Sequence, residues 1–247
     1  VRDLDQFEQA FNNVNVRSTN RGGRGTRTPA DAGDDRTTRA RIRDATIALV
    51  AHQGTDALTA RRVADAADVS PGSIIHHFGS MGGLRAACDK HVAAVIREQK
   101  TDGLHPGATL DLLAVLRSTD LTDLAGYLAA VLTEQSPDVD RFVDELVYDA
   151  VGYLEQGVAT GTVKPTSNPD DRAALLVLWS LGGLVLHRHM RRLLGVDLTD
   201  PAAQQPADLA RYARAALDAV GTGVLDDALT ERLSASLSTA PSPSEEL

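Results

Sequence analysis

The side chains of this chain that can do chemistry crowd into one early stretch, and they are donors rather than nucleophiles. They are Arg39, Thr59, Arg61, Arg62, Ser70, Ser73, His76 and His77. The densest run reads Ser70-Pro71-Gly72-Ser73-Ile74-Ile75-His76-His77. Arg and His donate to phosphate oxygens and base edges, while Ser serves several bases and discriminates weakly alone. Pro71 and Ile75 are apolar and can touch thymine methyl groups. Gly72 and Ser73 are slim, so the backbone N–H groups around them can approach a phosphate closely. The chemistry on offer is recognition of a duplex.

The chemistry of turnover is missing. There is no G-x-S-x-G, no H-E-x-x-H, no phosphate loop and no dinucleotide fingerprint. Cys88 has no evident His partner and lies on an apolar stripe, where a buried thiol is inert. His76 and His77 point in different directions and lack a third ligand. His187 and His189, beside Arg188, Arg191 and Arg192, sit two apart on different faces and read as cations at a helix C-terminus. Asp138, Asp140, Asp144, Glu145 and Asp149 read as a solvated face. We expect no catalytic residues, no cofactor and no metal.

Short helices must carry the donors. Thr59 is a good N-cap, with Val63, Ala64 and Ala67 behind it at helical spacing. Asp68 fills the turn, because Asp tolerates a left-handed backbone. Ser70 caps the next helix, and Pro71 sits at its first position, where a missing N–H is harmless. Gly79 ends that helix. Ser80 caps another, with Leu84, Cys88, His91 and Val95 on one face and an expected end near residue 98. Two short helices joined by a three-residue turn form a helix-turn-helix, whose second helix lies in the major groove. Ile74 and Phe78, four apart, face the core. A preceding helix over 38–52 offers Ile42, Ala45, Leu49 and Val50 as its inner stripe. Arg61 and Arg62 fall in a first turn, where cations oppose the helix dipole and a phosphate would offset the cost.

The stretch resembles the DNA-binding domain of the tetracycline-repressor (TetR) family. The residues that carry the resemblance are Thr59, Val63, Ala64, Ala67, Val69-Ser70, Gly72-Ser73-Ile74, His77-Phe78, Ser80 and Leu84. It covers roughly residues 39–95. It implies an all-helical homodimer, a small-molecule pocket in the C-terminal part, and transcriptional repression lifted by a ligand. It also makes the helix over 80–98 the route for a ligand signal. Ile75 and Met81 stand where the family usually has Tyr and Lys, residues that commonly contact phosphate.

Charge follows the same division. The chain of 247 residues carries a net charge of −9. Residues 1–36 are neutral, 37–100 carry +3, and 101–247 carry −12. A basic reader joined to an acidic second domain shows this asymmetry. A single Cys excludes an intrachain disulfide and fits a reducing cytoplasm. No signal peptide is visible at the start of the sequence. Residues 17–35 are rich in Gly, Thr and Arg and are expected to be disordered. Arg17, Arg21, Arg24 and Arg27 make a basic arm that can follow phosphates or enter the minor groove.

Residues 99–109 break the pattern with Gly, Pro and Thr and mark a boundary. Helices are expected over 110–117, 121–132, 137–160, 169–194, 206–220 and 225–237. Residues 173–186 hold one Ser, two Gly and otherwise apolar side chains. A membrane span needs ~20 apolar residues, so this shorter run argues for a core helix or an interface and against a membrane partner. A helix apolar all round must be covered all round. We expect a second copy to cover it, with the helix over 206–220 completing a four-helix seam. A two-fold reader also needs half-sites about one turn (~34 Å) apart. Apolar candidates for an effector wall are Tyr127, Phe142, Leu146, Tyr153, Trp179 and Met190.

The sequence thus predicts an all-α chain. A flexible extension (1–36) precedes a three-helix helix-turn-helix domain (37–100). An effector-binding and dimerisation domain (101–238) and a disordered tail (239–247) follow. The expected function is a dimeric, cytoplasmic DNA-binding regulator, a repressor released from its double-stranded operator by a small apolar or amphipathic effector. The alternative is a helical ligand- or partner-binding module whose degenerate reader no longer binds DNA specifically, and Ile75 and Met81 motivate it.

Overall fold

The caps read from the sequence close the helices they were expected to close. The computed structural model describes residues 29–106, 119–221 and 224–238. Within them ten α-helices follow one another: α1 (Pro29–Gln53), α2 (Ala60–Ala67), α3 (Pro71–Phe78), α4 (Met81–Leu104), α5 (Thr119–Val131), α6 (Pro137–Thr160), α7 (Pro169–Val185), α8 (His187–Leu194), α9 (Pro206–Gly221) and α10 (Asp227–Ser238). The β pairing among the described residues is one isolated antiparallel bridge, Val163 to Leu225. The expected helix over 110–117, the basic arm and the tail lie outside the described residues.

Residues Val1–Thr38 and Arg39–Leu247 fall into two units. In the second, Ile42, Val50, Val63, Ile74 and Leu84 are fully buried and join α1 to α4. The long α4 packs along α6, α6 packs on α7, and α5 packs on α7. Val139, Phe142, Leu146, Ala150 and Leu154 form the buried stripe of α6 at helical spacing. Arg97 of α4 grips Asp149 of α6 through both carboxylate oxygens at 3.1 Å.

The helix ends depart from expectation in three places. α1 begins at Pro29 rather than near 38, so residues 29–35 are helical and not disordered. Pro29 sits at the first helical position, which suits its fixed φ. α4 continues past the expected end near 98 to Leu104, because Thr, Asp and a single Gly weaken a helix without stopping it. Pro106 stops it by forcing His105 to extended backbone, φ −67 and ψ 134.

The third departure matters most. The expected helix over 169–194 is two helices, α7 and α8, bent by 81° at Leu186. His187 therefore opens α8 and does not cap a C-terminus. Asp197, buried to 1% exposure, lies 3.5 Å from His187 Nδ1 and accepts from Arg191. Burial pushes the Asp197 carboxyl up, but hydrogen bonds from Thr199 and the Arg191 guanidinium outweigh it and hold the group below its usual range. That carboxylate lies beside the first two turns of α8. No single described helix is long and apolar enough to cross a membrane.

One face of α7 is bare. Leu175, Leu178 and Trp179 are 67%, 57% and 53% exposed, and Val185, Leu186, Leu193 and Leu194 are exposed as well. A central helix sealed within one subunit is thereby excluded. On α9 the apolar side is occupied: Ala210, Ala213 and Leu217 pack with Leu225 and Leu233.

Candidate nucleic-acid interface

Local chemistry builds the reader. Thr59 Oγ1 accepts the Arg62 N–H at 3.4 Å and starts α2. Asp68 ends it in a left-handed conformation, φ 50 and ψ 55. The Val69 N–H returns to the Ala64 carbonyl at 3.0 Å, which satisfies an orphan acceptor of the last turn. Ser70 Oγ then accepts the Ser73 N–H at 3.2 Å, with Pro71 at the first position of α3. Gly79 at φ 76 terminates α3, and Ser80 Oγ accepts the Gly83 N–H at 2.9 Å to start α4.

Four local hydrogen bonds of this kind leave α3 with two sides. Ile74 is sealed at 0% exposure, while Ile75 is 49% exposed on the opposite side. Pro71, Gly72 and His76 are exposed with it, and Ser73 and His77 are half-buried. The Ser73 hydroxyl pairs with the Ser70 hydroxyl at 2.9 Å, so the helix start is held as a unit. The His76 and His77 rings meet edge to face at 5.2 Å between centroids. Among the described residues no three His, Cys, Asp or Glu side chains gather as metal ligands.

The arginines frame this surface. Arg61 and Arg62 are exposed on the first turn of α2. Arg62 donates to Gln53 Oε1 at the end of α1, a partner the sequence reading missed because only the fold brings the two together. Arg39, exposed on α1, places its guanidinium 4.9 Å from the centroid of the Phe78 ring. The surface offers N–H donors at the start of α3, a cation beside its end and the exposed Ile75 between them, with two more exposed cations on α2. That combination holds phosphate and probes base edges.

The six effector-wall candidates do not share one environment. Tyr127, Phe142 and Leu146 are buried in the main core at 0%, 3% and 5% exposure, and Tyr153 packs half-buried against it. Met190 is half-buried on α8. Trp179 faces away from that core on the bare side of α7. Burial, with Asp149 nearby, pushes the Tyr153 hydroxyl up to about 12.

Comparison with known proteins agrees with this layout. Residues 42–88 match the family described as bacterial regulatory proteins, tetR family. Residues 120–226 match a tetracyclin repressor-like C-terminal domain. The chain is 36% identical over 157 residues to the HTH-type transcriptional regulatory protein RaaS of Mycobacterium tuberculosis, spanning 63% of this chain and 74% of that protein. Two solved structures share the fold. TylP, a TetR regulator from Streptomyces fradiae, superposes with a TM-score of 0.54 at 21% identity, covering 83% of this chain and 90% of that one. SmeT, the repressor of the Stenotrophomonas maltophilia multidrug efflux pump SmeDEF, does so at 0.53 and 16% identity, covering 79% and 94%. The chain belongs to the tetR family of bacterial regulatory proteins, and is a transcriptional regulator built on a DNA-binding helix-turn-helix rather than an enzyme.

Proposed function

We propose that this regulator is a homodimeric repressor that leaves its operator when a small apolar or amphipathic effector binds. Residues 37–100 read the DNA, and residues 101–238 hold the effector and the dimer contact. The observation that carries the DNA reading is the division of α3 between sealed Ile74 and exposed Pro71, Gly72, Ile75 and His76. In this reading Ser70, Gly72 and Ser73 bring backbone N–H groups to phosphate, and Ile75, His76 and His77 meet base edges. Arg39, Thr59, Arg61 and Arg62 hold the flanking backbone.

Dimerisation is supported by the bare face of α7. Leu175, Leu178 and Trp179 form a contiguous apolar surface that water covers poorly in a single subunit. The outward side of α9 carries Arg211, Arg214 and Asp218, so the seam rests on α7 more than on the pair of helices expected from the sequence.

Effector chemistry is supported by the lining of the helical core. A molecule that contacts Phe142, Leu146 or Tyr153 must displace side chains that pack α6 against its neighbours. Occupancy is thereby coupled to the packing of α4, which continues directly from the reader. Trp179 lies on the proposed subunit contact, so it joins the effector wall only if that contact closes over a ligand.

A gel-shift scan of the DNA upstream of the protein's own gene tests the proposal. Retention that survives competitor DNA is the expected result. Binding that is sequence-blind and vanishes with salt would instead favour a degenerate reader.

A further inference from the structure

We infer that Phe78 is a positioning residue for DNA binding. Its ring holds the Arg39 guanidinium at the C-terminal end of the reader, where that cation receives a phosphate. The inference rests on the DNA-reading role of α3 and names a residue of the reader's far end that was expected to serve only the core.

The geometry has three parts. Arg39 Cζ stands 4.9 Å from the Phe78 centroid, inside the ~6 Å over which a cation is attracted to a ring face. Phe78 is half-buried and packs against the main core, so the ring is anchored from one side. Arg39 is exposed on α1. Its charge is therefore held in place by the ring but left available for an anion.

The location gives this cation a task. Phe78 is the last residue of α3. A helix C-terminus carries partial negative charge, which repels phosphate, whereas the N-terminus attracts it. An eight-residue reader is about 12 Å long and the major groove is ~12 Å wide, so both ends of α3 come near a phosphate wall. The N-terminal end can meet its wall with its own N–H groups. The C-terminal end needs a cation, and Arg39 is placed beside it. The His77 ring, 6.4 Å from Phe78 and inclined by 65°, packs on the same end.

The test uses the full-length protein and a duplex that it selects from a random-sequence pool. Binding is followed by fluorescence anisotropy from 50 to 200 mM salt (about the range over which counterion release dominates). Arg39→Ala is expected to weaken binding and to lower the slope of log K against log salt by about 0.9 per bound subunit. Phe78→Leu should move both in the same direction, and Phe78→Tyr, which keeps the ring, should restore them. Arg39→Ala combined with Phe78→Leu should be no worse than Arg39→Ala alone. A purely structural Phe78 would lower thermal stability and leave the salt slope unmoved. Phe78→Met fills similar space without a ring, so it reports even if Phe78→Leu does not fold; a wild-type salt slope there overturns the inference. A wild-type slope in Phe78→Leu, or in Arg39→Ala, overturns it as well. A wild type that selects no sequence from the pool overturns the DNA-reading role itself.

Discussion

The Tyr127 hydroxyl donates a 2.5 Å hydrogen bond to the Asp89 carboxylate, joining α5 to α4 inside the protein. Arg85 extends the link, reaching Asp89 and Glu134 at 3.2 Å each. Tyr127 is 0% exposed and Asp89 9%. Tyr127→Phe leaves the ring in place but removes the donor, so a buried carboxylate loses a partner. The expected loss is about 1–3 kcal/mol of unfolding free energy in urea titrations. A variant as stable as the parent would show that water replaces the hydroxyl.

The same cluster makes the fold sensitive to alkali. Burial, with Asp89 alongside, pushes the Cys88 thiol up to about 12 from its ordinary 9.0. Burial also raises the Tyr127 hydroxyl above its ordinary range. A group whose folded pKa is raised favours the folded state below the unfolded pKa, and that contribution fades as pH climbs toward the folded value. Stability should therefore fall as pH rises from 9 toward 12, with a slope of up to about 1.4 kcal/mol per pH unit for each such group. Urea titrations at pH 8, 9 and 10 measure the fall, and Cys88→Ala should flatten part of it. Near neutral pH the native thiol should resist alkylation, since it is both sealed and protonated.

What the sequence made legible was the part of the fold held by local chemistry. Thr59, Ser70, Pro71, Asp68 and Ser80 act on their immediate neighbours, and the reader they bound lies where they put it. What stayed hidden was set by partners distant in sequence or in another element. Nothing local announced the break at Leu186, beyond which the Asp197 carboxylate lies beside His187 and Arg191. Apolar periodicity in 173–186 gave no sign of it, because Gly182 and Gly183 weaken a helix without fixing where it stops. Gln53 gave no signal either, since its role depends on α1 ending beside Arg62. Trp179 read as one aromatic of an effector wall, yet α7 turns it outward. Tyr127 read as an effector-wall candidate, and its bond to Asp89 required the fold that sets α5 beside α4.

Gly82 and Gly83 look like equal weaknesses in the first turn of α4, but they should respond oppositely to alanine. A Cβ at Gly83 would lie 2.2 Å from the Phe78 carbonyl oxygen, which is backbone and cannot swing aside. At Gly82 the nearest atom would be Ser80 Oγ at 3.7 Å, an ordinary contact. Gly82→Ala should gain about 0.5–1 kcal/mol from helix propensity. Gly83→Ala should lose about 1–3 kcal/mol, because α4 must move away from the end of the reader. Thermal melts of the two variants decide the matter, and equal shifts would refute the close approach. Gly83→Ala should also weaken operator binding more than its stability loss explains, since the clash falls on Phe78 at the end of α3.

The bare face of α7 offers the sharpest test of assembly. Trp179 is 53% exposed and lies outside the main core, so a charge there costs one subunit little. In a two-fold contact the same charge is buried twice, facing its own copy or the partner's Leu175 and Leu178 surface. Trp179→Glu should therefore yield a folded monomer of about half the parent's mass by light scattering, with its helical circular dichroism retained. Operator binding should fall with it, because two linked readers gain from effective concentration and a single reader does not. The fall should be recovered in part at high protein concentration, where mass action restores the pair. A variant that keeps the parent's mass would place the subunit contact elsewhere, and one that unfolds would show that Trp179 serves its own subunit.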